Sequence, residues 1–224
     1  MIGKRFWILS VLVAVVWGGV YATEAVAAPM AISICQEINN SGSYELTGNL
    51  NHDGITSSDG CLVVNVDSVT IDLKGFTIYG NDEDIGILGS SVEKLVVRNG
   101  TIRDFDFGFA SVGLFNRVEG IIAVGNDLDG ISVASHGIIT NSSGSGNGRQ
   151  GIICGGGCII SNNIANQNNG DGFELDSTNN IFNNTAVGNQ GDGIQVSCPS
   201  NLVGNTAQVN GVTSGVNLNQ IGVS

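Results

Sequence analysis

Two copies of the tripeptide Gly-Asp-Gly contain Asp171 and Asp192, and each aspartate stands directly before a glycine that begins an alternating apolar segment. Glu174 and Asp176 follow the first copy closely. Carboxylate oxygens are the ligands that Ca²⁺ takes in proteins, and this ion tolerates irregular geometry. If the interval between the two copies is one turn of a regular structure, these four side chains predict a calcium site on two adjacent turns.

A scaffold role is the simpler interpretation of the same aspartates. Asp-Gly is common turn chemistry, because the carboxylate accepts hydrogen bonds from nearby backbone N–H groups. Asp129 occupies the equivalent place two repeats before Asp171, with Gln150 between them. The alternative to a metal site is therefore a row of turn caps.

The catalytic candidates are Asp171, Asp192, Arg149 and His136. A lyase or epimerase acting on uronates needs a base and a cation that neutralises the sugar carboxylate. By register, Arg149 lies before a strand and His136 beyond its other end, roughly 13 Å apart or more. They are therefore not expected to serve one sugar ring. Asp171 with Asp192, or Glu174 with Asp176, are the pairs that a hydrolase could use as acid and base.

A repeat reveals the elements that must position these residues. Seven glycines recur about every 21–22 residues, and from Gly130 onward each begins the pattern glycine, apolar, variable, apolar, which is typical of a half-buried strand. Other columns keep this period. The glycines are Gly86, Gly108, Gly130, Gly151, Gly172, Gly193 and Gly215; the aliphatic column is Val118, Ile139, Ile160, Ile181 and Leu202; the small column is Ala123, Gly144, Ala165, Ala186 and Ala207; the asparagine columns are Asn126, Asn147, Asn168, Asn189 and Asn210, and Asn163, Asn184 and Asn205.

This register predicts an all-β parallel solenoid in which each repeat is one coil and equivalent positions stack about 4.8 Å apart. Hairpin sandwiches do not show such a period, and the leucine-rich consensus is absent. A side-chain amide has both donors and acceptors. Stacked asparagines are therefore expected to form hydrogen-bonded ladders, as they do in cross-β assemblies.

Two segments, "GCLVVNVDSVTIDLKGFTIYGN" from Gly60 to Asn81 and the later "NNTAVGNQGDGIQV", resemble secreted right-handed parallel β-helix proteins of the pectin-lyase-like superfamily. The similarity runs from about Ile34 to Leu218. It implies a single-stranded right-handed parallel β-helix. It implies no single activity, because the superfamily includes pectate lyases, polygalacturonases, alginate epimerases, tailspike glycosidases and members without assigned chemistry.

The predicted organisation is one domain of about eight coils with a period of about 21–22 residues. Residues 1–27 have a basic start, an apolar run and Ala25-Val26-Ala27, which are typical of a secretory signal peptide. Residues 28–60 are expected to form an N-terminal cap and an irregular first coil, 61–218 the β-helix, and 219–224 a C-terminal tail. A secreted, extracellular or periplasmic protein without a membrane span after cleavage is expected.

Charge content argues against one class of partner, and cysteine content predicts disulfides. The chain has 20 acidic and 8 basic side chains, so a nucleic-acid partner, which needs a basic face, is not expected. Five cysteines in a secreted chain suggest disulfides. Cys35 with Cys61 and Cys154 with Cys158 are the expected pairs, and Cys198 has no evident partner.

Side chains outside the acidic repeats give weaker signals. Asp72 and Arg98 lie about one coil apart and are expected to form an exposed ion pair, which contributes little free energy. Aromatic rings that could stack on a sugar are few. Those expected on the outside are Tyr44, Tyr79 and either Phe105 or Phe107.

Three functions remain open at this stage. The first is a non-catalytic scaffold or rod that binds a polysaccharide or a cell-surface glycan. The second is a small uronate lyase or epimerase assisted by Ca²⁺, the only cofactor that the sequence suggests. The third is an adhesive element that assembles end to end through its C-terminal coil. The short coils, nearly uniform from Gly130 onward, favour the first.

Overall fold

The computed structural model describes residues 28–52 and 59–211 and the backbone of 221–223. The predicted signal peptide and the other residues of the predicted tail lie outside the described residues. Within the described part every regular element is a strand. The strands are β1 (Met30–Ile32), β2 (Gln36–Ile38), β3 (Gly42–Leu46), β4 (Leu50–Asn51), β5 (Leu62–Val64), β6 (Val69–Asp72), β7 (Thr77–Tyr79), β8 (Ile85–Gly89), β9 (Val96–Arg103), β10 (Phe107–Ser111), β11 (Arg117–Val124), β12 (Ile131–Val133), β13 (Ile138–Thr140), β14 (Ser143–Ser145), β15 (Ile152–Cys154), β16 (Ile159–Ser161), β17 (Ile164–Asn166), β18 (Phe173–Leu175), β19 (Asn180–Phe182), β20 (Thr185–Val187), β21 (Ile194–Val196), β22 (Asn201–Val203), β23 (Thr206–Gln208) and β24 (Ile221–Val223).

The strands stack in three rows, and this arrangement confirms the predicted parallel β-solenoid. The first row is a nine-stranded sheet with the order β2-β5-β8-β10-β12-β15-β18-β21-β24. The second and third rows belong to a fifteen-stranded sheet, because the long strands β9 and β11 contribute to both rows. The steps of the first row from β2 to β21 define seven complete turns, and β24 pairs with β21 one turn further on.

The turns become shorter and more regular along the chain. Gln36 pairs with Leu62, and Leu62 with Ile87, so the first two turns are several residues longer than the later ones. From β12 to β21 the paired residues follow one another at equal steps; they are Ile131, Ile152, Phe173 and Ile194. The irregular N-terminal turns and the uniform later turns agree with the sequence pattern.

The core is the inside of the coil. The aliphatic column from Val118 to Ile181 is fully buried in the second row, and the small column, including Ala123, Ala165 and Ala186, is fully buried in the third. Large aromatic side chains such as Phe109 and Phe173 fill the interior from the first row. Burial of equivalent side chains in every turn removes apolar surface from water continuously along the axis, which is the main stabilising term.

The repeated glycines are required by close approach rather than by unusual backbone angles. A Cβ atom on Gly130 would lie 2.6 Å from the carbonyl oxygen of Gly151 in the next turn, and one on Gly151 would lie 2.8 Å from that of Gly172. Real side chains do not occupy such positions. This column therefore fixes how closely consecutive turns can stack.

An asparagine ladder runs inside one corner of the coil. The Oδ1 atom of Asn168 accepts hydrogen bonds from the backbone N–H and the side-chain amide of Asn147, at 3.0 and 3.1 Å. Its Nδ2 atom donates to the carbonyl oxygen of Gly144 and to Oδ1 of Asn189, both at 2.9 Å. The ladder satisfies backbone groups that turn away from the strands. The residues joined in this way are Asn126, Asn147, Asn168, Asn189 and Asn210.

A second ladder follows the corner between the second and third rows, where Asn163, Asn184 and Asn205 are joined in the same way. Ser142 extends it by one turn. A third column, which sequence analysis missed, caps the start of the second row. Its members Asn116 and Asn179 accept from the backbone N–H groups of Leu95 and Cys158. Each of the three corners of the coil therefore has side chains that hold its backbone.

Two disulfides are present. Cys35 is bonded to Cys61 and joins the first turn to the second, and Cys154 is bonded to Cys158 across three glycines. Cys198 is exposed and unbonded. Disulfides persist in oxidising compartments, with which both bonds are compatible. The described residues form no helix that is long and apolar enough to cross a membrane.

Replacing Asn168 with Ala is expected to lower the free energy of unfolding by about 3 kcal/mol or more, because four buried hydrogen bonds lose a partner. The neighbouring Asn169 is exposed, and its Oδ1 atom accepts from the exposed amide of Gln190. Asn169→Ala should therefore change stability by no more than about 0.5 kcal/mol. Urea unfolding of both variants measures the difference, and equal losses would contradict a ladder that holds the turns together.

Candidate functional site

Asp171 and Asp192 lie in adjacent turns at the edge where the chain enters the first row of strands. Oδ1 of Asp171 accepts a hydrogen bond from the backbone N–H of Asp192 at 2.6 Å. Burial raises the pKa of Asp171, and the nearby charge of Asp192 also raises it, while the hydrogen bond from the Asp192 backbone lowers it. This carboxylate therefore acts as a turn cap, as the scaffold interpretation of Gly-Asp-Gly expects.

Asp129 performs the same role two turns earlier. Its Oδ1 atom accepts from the backbone N–H of Gln150 at 3.0 Å, and its Oδ2 atom lies 3.8 Å from the guanidinium of Arg149. Burial raises the pKa of Asp129, against the opposing effects of the Gln150 hydrogen bond and the Arg149 charge. Arg149 is consequently paired with a scaffold carboxylate rather than directed at Asp171.

The predicted calcium ligands are not gathered around one point. Glu174 lies on the outer face of β18, next to Gln195 of the following turn, whereas Asp176 comes after the strand has ended. Asp171 is held at the other end of the strand by its bond to Asp192. Among the described residues no three carboxylate, imidazole or thiolate side chains form a group that could hold a metal ion. The calcium site of Asp171, Glu174, Asp176 and Asp192 therefore stays a prediction from the sequence.

His136 is located at the opposite end of the strands from Arg149. It has a φ of 60°, and its ring centroid lies 5.4 Å from that of Phe115 in the preceding turn. The structure therefore does not bring Arg149 and His136 to one substrate. This separation agrees with the register argument from sequence.

A different acidic column lines a cavity near the N-terminal end of the solenoid. Asp59, Asp84 and Asp106 occupy the same position in three successive turns, at the edge where the chain enters the first row of strands. The backbone N–H of Asp106 donates to the carbonyl oxygen of Asp84 at 3.0 Å. Equivalent positions in adjacent turns stand about 4.8 Å apart, so the three carboxylates form one negatively charged wall.

The other wall of this cavity is apolar. Ile85, Leu88 and Phe107 line it together with the three aspartates, and its volume is about 330 Å³. Leu88 is on the outer face of β8, and Phe107 begins β10 in the next turn. Ligand sites in proteins commonly combine an apolar surface with a few polar groups and begin at about this volume.

A buried histidine supports the central carboxylate. Nε2 of His52 lies 2.9 Å from Oδ2 of Asp84, and the His52 side chain is fully buried. Its ring centroid is 5.9 Å from that of Phe105, which is itself in the core. Nδ1 of His52 is buried and has no hydrogen-bond partner among the described residues. The imidazole therefore fixes the orientation of Asp84 from behind the cavity wall.

The sequence did not predict this site, because the functional residues were sought in the neighbouring column of aspartates that directly precede the repeated glycines. Asp129, Asp171 and Asp192 stand directly before the repeated glycines, whereas Asp84 and Asp106 each stand one position earlier. A scan of that second column would have found the pair, since they are one repeat apart. His52 lies 32 residues from Asp84, outside the period, and no sequence signal connects the two.

Comparisons with known proteins bear on the fold only. No protein-family model matches the chain, and no curated protein matches it. Among solved structures, the chain is similar to the A-module of mannuronan C-5 epimerase AlgE6 of Azotobacter vinelandii, with 17% identity and a TM-score of 0.45 over 77% of this chain and 61% of that one. It is also similar to the A-module of mannuronan C-5 epimerase AlgE4 of the same organism, with 13% identity and a TM-score of 0.41 over 81% and 83% of the two chains. The chain thus spans about 61% of the length of the first structure.

The capping role of Asp171 predicts how its substitution affects stability. Asp171→Asn keeps an oxygen that accepts from the Asp192 N–H, so the fold should persist, whereas Asp171→Ala should cost about 1–2 kcal/mol. Because the pKa of Asp171 is raised in the folded protein, its stabilising contribution is present when the carboxyl is protonated and is lost as the pH rises through that pKa. Asp171→Asn should therefore be modestly more stable than the native protein at neutral pH, and the difference should disappear in acid.

Thermal unfolding of the native protein and both variants, from acid to neutral pH, measures this dependence. Loss of stability in Asp171→Asn equal to that in Asp171→Ala would show that the negative charge, rather than an accepting oxygen, is needed at this position. That result would contradict the capping role of Asp171 and would favour its role as a calcium ligand.

Proposed function

We propose that this protein is a secreted, non-catalytic β-helical rod that binds a glycan with free amino groups. The cavity of Asp59, Asp84, Asp106 and Phe107 carries the proposal, because it is where carboxylates and an aromatic ring face the same space. Secretion rests on the signal sequence of residues 1–27 and on the two disulfides that an oxidising compartment permits.

Charge selects the class of glycan. Three carboxylates of one column line the cavity, and the whole chain has a formal net charge of −12. A cleft with one sign of charge concentrates ligands of the opposite sign and repels those of its own. An ammonium group of an amino sugar is complementary to the acidic wall, whereas the carboxylate of a uronate is repelled.

Apolar contact favours a sugar over a simple polyamine. Phe107 and Leu88 line the cavity with the aspartates and present carbon surface to the space between them. The C–H face of a pyranose ring can bury apolar area against such a surface, while its hydroxyl groups donate to carboxylate oxygens that accept only. An amino-sugar ring can therefore contact the apolar wall through its C–H face and the acidic wall through its ammonium and hydroxyl groups.

The contacts of three catalytic candidates support a binding role over a catalytic one. Asp171 caps the backbone of Asp192, and Arg149 is paired with Asp129. His136 is next to Phe115 at the far end of the strands. Each of these three contacts lies within the scaffold, which favours binding over the uronate lyase or epimerase alternative.

Calorimetric titration with short oligomers of glucosamine, N-acetylglucosamine and galacturonate tests the proposal. The cationic oligomer should bind more tightly than its neutral acetylated counterpart, and the uronate should not bind. Raising the salt concentration should weaken the binding of the cationic oligomer, because exposed charge interactions are screened. Equal binding of the cationic and neutral oligomers, or preference for the uronate, would contradict it.

Asp106→Asn is expected to lower the affinity for the glucosamine oligomer about five- to tenfold, because it removes the charge of one carboxylate that lines the cavity. Asp171→Asn is the matched control, since it makes the same change of net charge at a capping position and should leave affinity within about twofold. Equal effects of the two variants would mean that only the overall charge matters.

Phe107→Ala should also weaken binding, because the sugar loses its aromatic surface. Phe115 is 51% exposed and lies in a corner at the other end of the first-row strands, after β10 has ended. Phe115→Ala is therefore the control for loss of an accessible aromatic ring, and it should bind the oligomer as the native protein does. A larger loss in Phe115→Ala than in Phe107→Ala would move the site away from the acidic cavity.

A further inference from the structure

One outer surface of the solenoid has no charge. We name it the lateral face and define it as the outward side chains of the last part of β11 and of β14, β17, β20 and β23. They form two columns that follow the axis in register. The first column is Ile122, Ser143, Ile164, Thr185 and Thr206; the second is Val124, Ser145, Asn166, Val187 and Gln208.

The lateral face exposes large aliphatic side chains. Ile122 is 50% exposed and Ile164 45% exposed, and Val124 and Val187 are partly exposed beside them. Contiguous exposed apolar surface in a natural protein commonly marks a site of contact with another molecule. Across these five described strands no outward side chain of the lateral face is charged, so no charge interrupts the apolar surface.

Charge restricts where a second copy can dock. The chain has a net charge of −12, and a line of aspartates follows the edge where the chain enters the first row of strands. Two copies repel one another wherever such edges meet. The lateral face is a place where two copies can touch without bringing like charges together. The aspartates of that edge are Asp84, Asp106, Asp129, Asp171 and Asp192.

The order of side chains along the lateral face is self-complementary. Consider a second copy turned by a two-fold axis that is parallel to the strands and passes between β14 and β17. In the four turns from β11 to β20, every isoleucine then meets a small hydroxyl residue, every valine meets a valine, and Ser145 meets Asn166. Strand β23 lies outside these pairs, because the same axis places it over β9 of the second copy. The facing pairs are Ile164 with Ser143, Ile122 with Thr185, Val124 with Val187, and Ser145 with Asn166.

We propose that two copies of this chain associate side by side and antiparallel through the lateral face, in this register. Sheets packed face to face stand about 10 Å apart, at which distance the isoleucines can enter the spaces over serine and threonine. The four turns that face one another in this register, at about 4.8 Å each, give a contact roughly 15–20 Å long. A contact of this size is below that of permanent dimers, so the dimer is reversible and concentration-dependent.

Sedimentation equilibrium of the purified protein over roughly 10 to 500 µM, the range in which weak complexes form, tests the proposal. The native protein should show a reversible monomer–dimer equilibrium. Ile122→Lys should raise the dissociation constant about tenfold or more, because a charge is buried without a partner. Ile159→Lys is the matched control. Ile159 is 39% exposed but belongs to the second row of strands, so its substitution should leave the dissociation constant within about twofold.

A double variant tests the register. Thr185→Glu alone should weaken the dimer as Ile122→Lys does, whereas the two substitutions together should restore association, because each introduced ammonium faces an introduced carboxylate of the other copy. Within one chain the two positions are three turns apart, about 14 Å, too far for a direct ion pair. A native protein that remains monomeric throughout, equal weakening by Ile159→Lys, or failure of the double variant to recover would each overturn the proposal. A native protein that is monomeric and yet binds another molecule through this face would also overturn it.

Discussion

The structure depends on the stacking of identical positions one turn apart. In the regular part of the coil each turn brings an asparagine over an asparagine, an isoleucine over an isoleucine and a glycine over a glycine. The amide ladders hold the corners, and the glycine column sets how closely the turns approach. A side chain therefore stabilises its turn only if the equivalent positions in the turns above and below carry compatible residues. This constraint explains why equivalent asparagines recur in consecutive turns.

The same constraint decides where function can be placed. In the uniform turns after Gly130, Asp171 at the edge where the chain enters the first row of strands caps the backbone N–H of Asp192. The first turns are longer and depart from the ladder pattern. There the carboxylates of one column line a cavity, and a buried histidine outside the period holds one of them. Irregularity in the repeat thus coincides with the candidate binding site.

The fold could be predicted from sequence because periodic constraints leave periodic residues. The inward columns, the two asparagine ladders and the exposed ion pair of Asp72 and Arg98 all follow from register. The site could not be predicted in the same way. His52 and Asp84 meet only through the three-dimensional arrangement of an irregular turn. The functional hypothesis from sequence was placed on the neighbouring column of Asp171 and Asp192.

The aromatic rings show the same limit of the sequence pattern. The expectation that Tyr44 lies on the outside is wrong. Its side chain points inward from strand β3 and is only 7% exposed. Of the alternatives Phe105 and Phe107, Phe105 is in the core and Phe107 lines the cavity. These residues belong to the irregular N-terminal turns, where no repeated column fixes which side chains point in.

In the proposed function the cavity of Asp59, Asp84 and Asp106 binds ligand, while the Gly-Asp-Gly turns belong to the scaffold. Amide chemical-shift mapping by NMR during titration with a glucosamine oligomer tests both parts at once. Shift changes are expected at Asp84, Asp106, Phe107 and their neighbours, with the amides of Asp171 and Asp192 unchanged. Changes centred on Asp171 and Asp192, with the cavity unaffected, would contradict the proposed function.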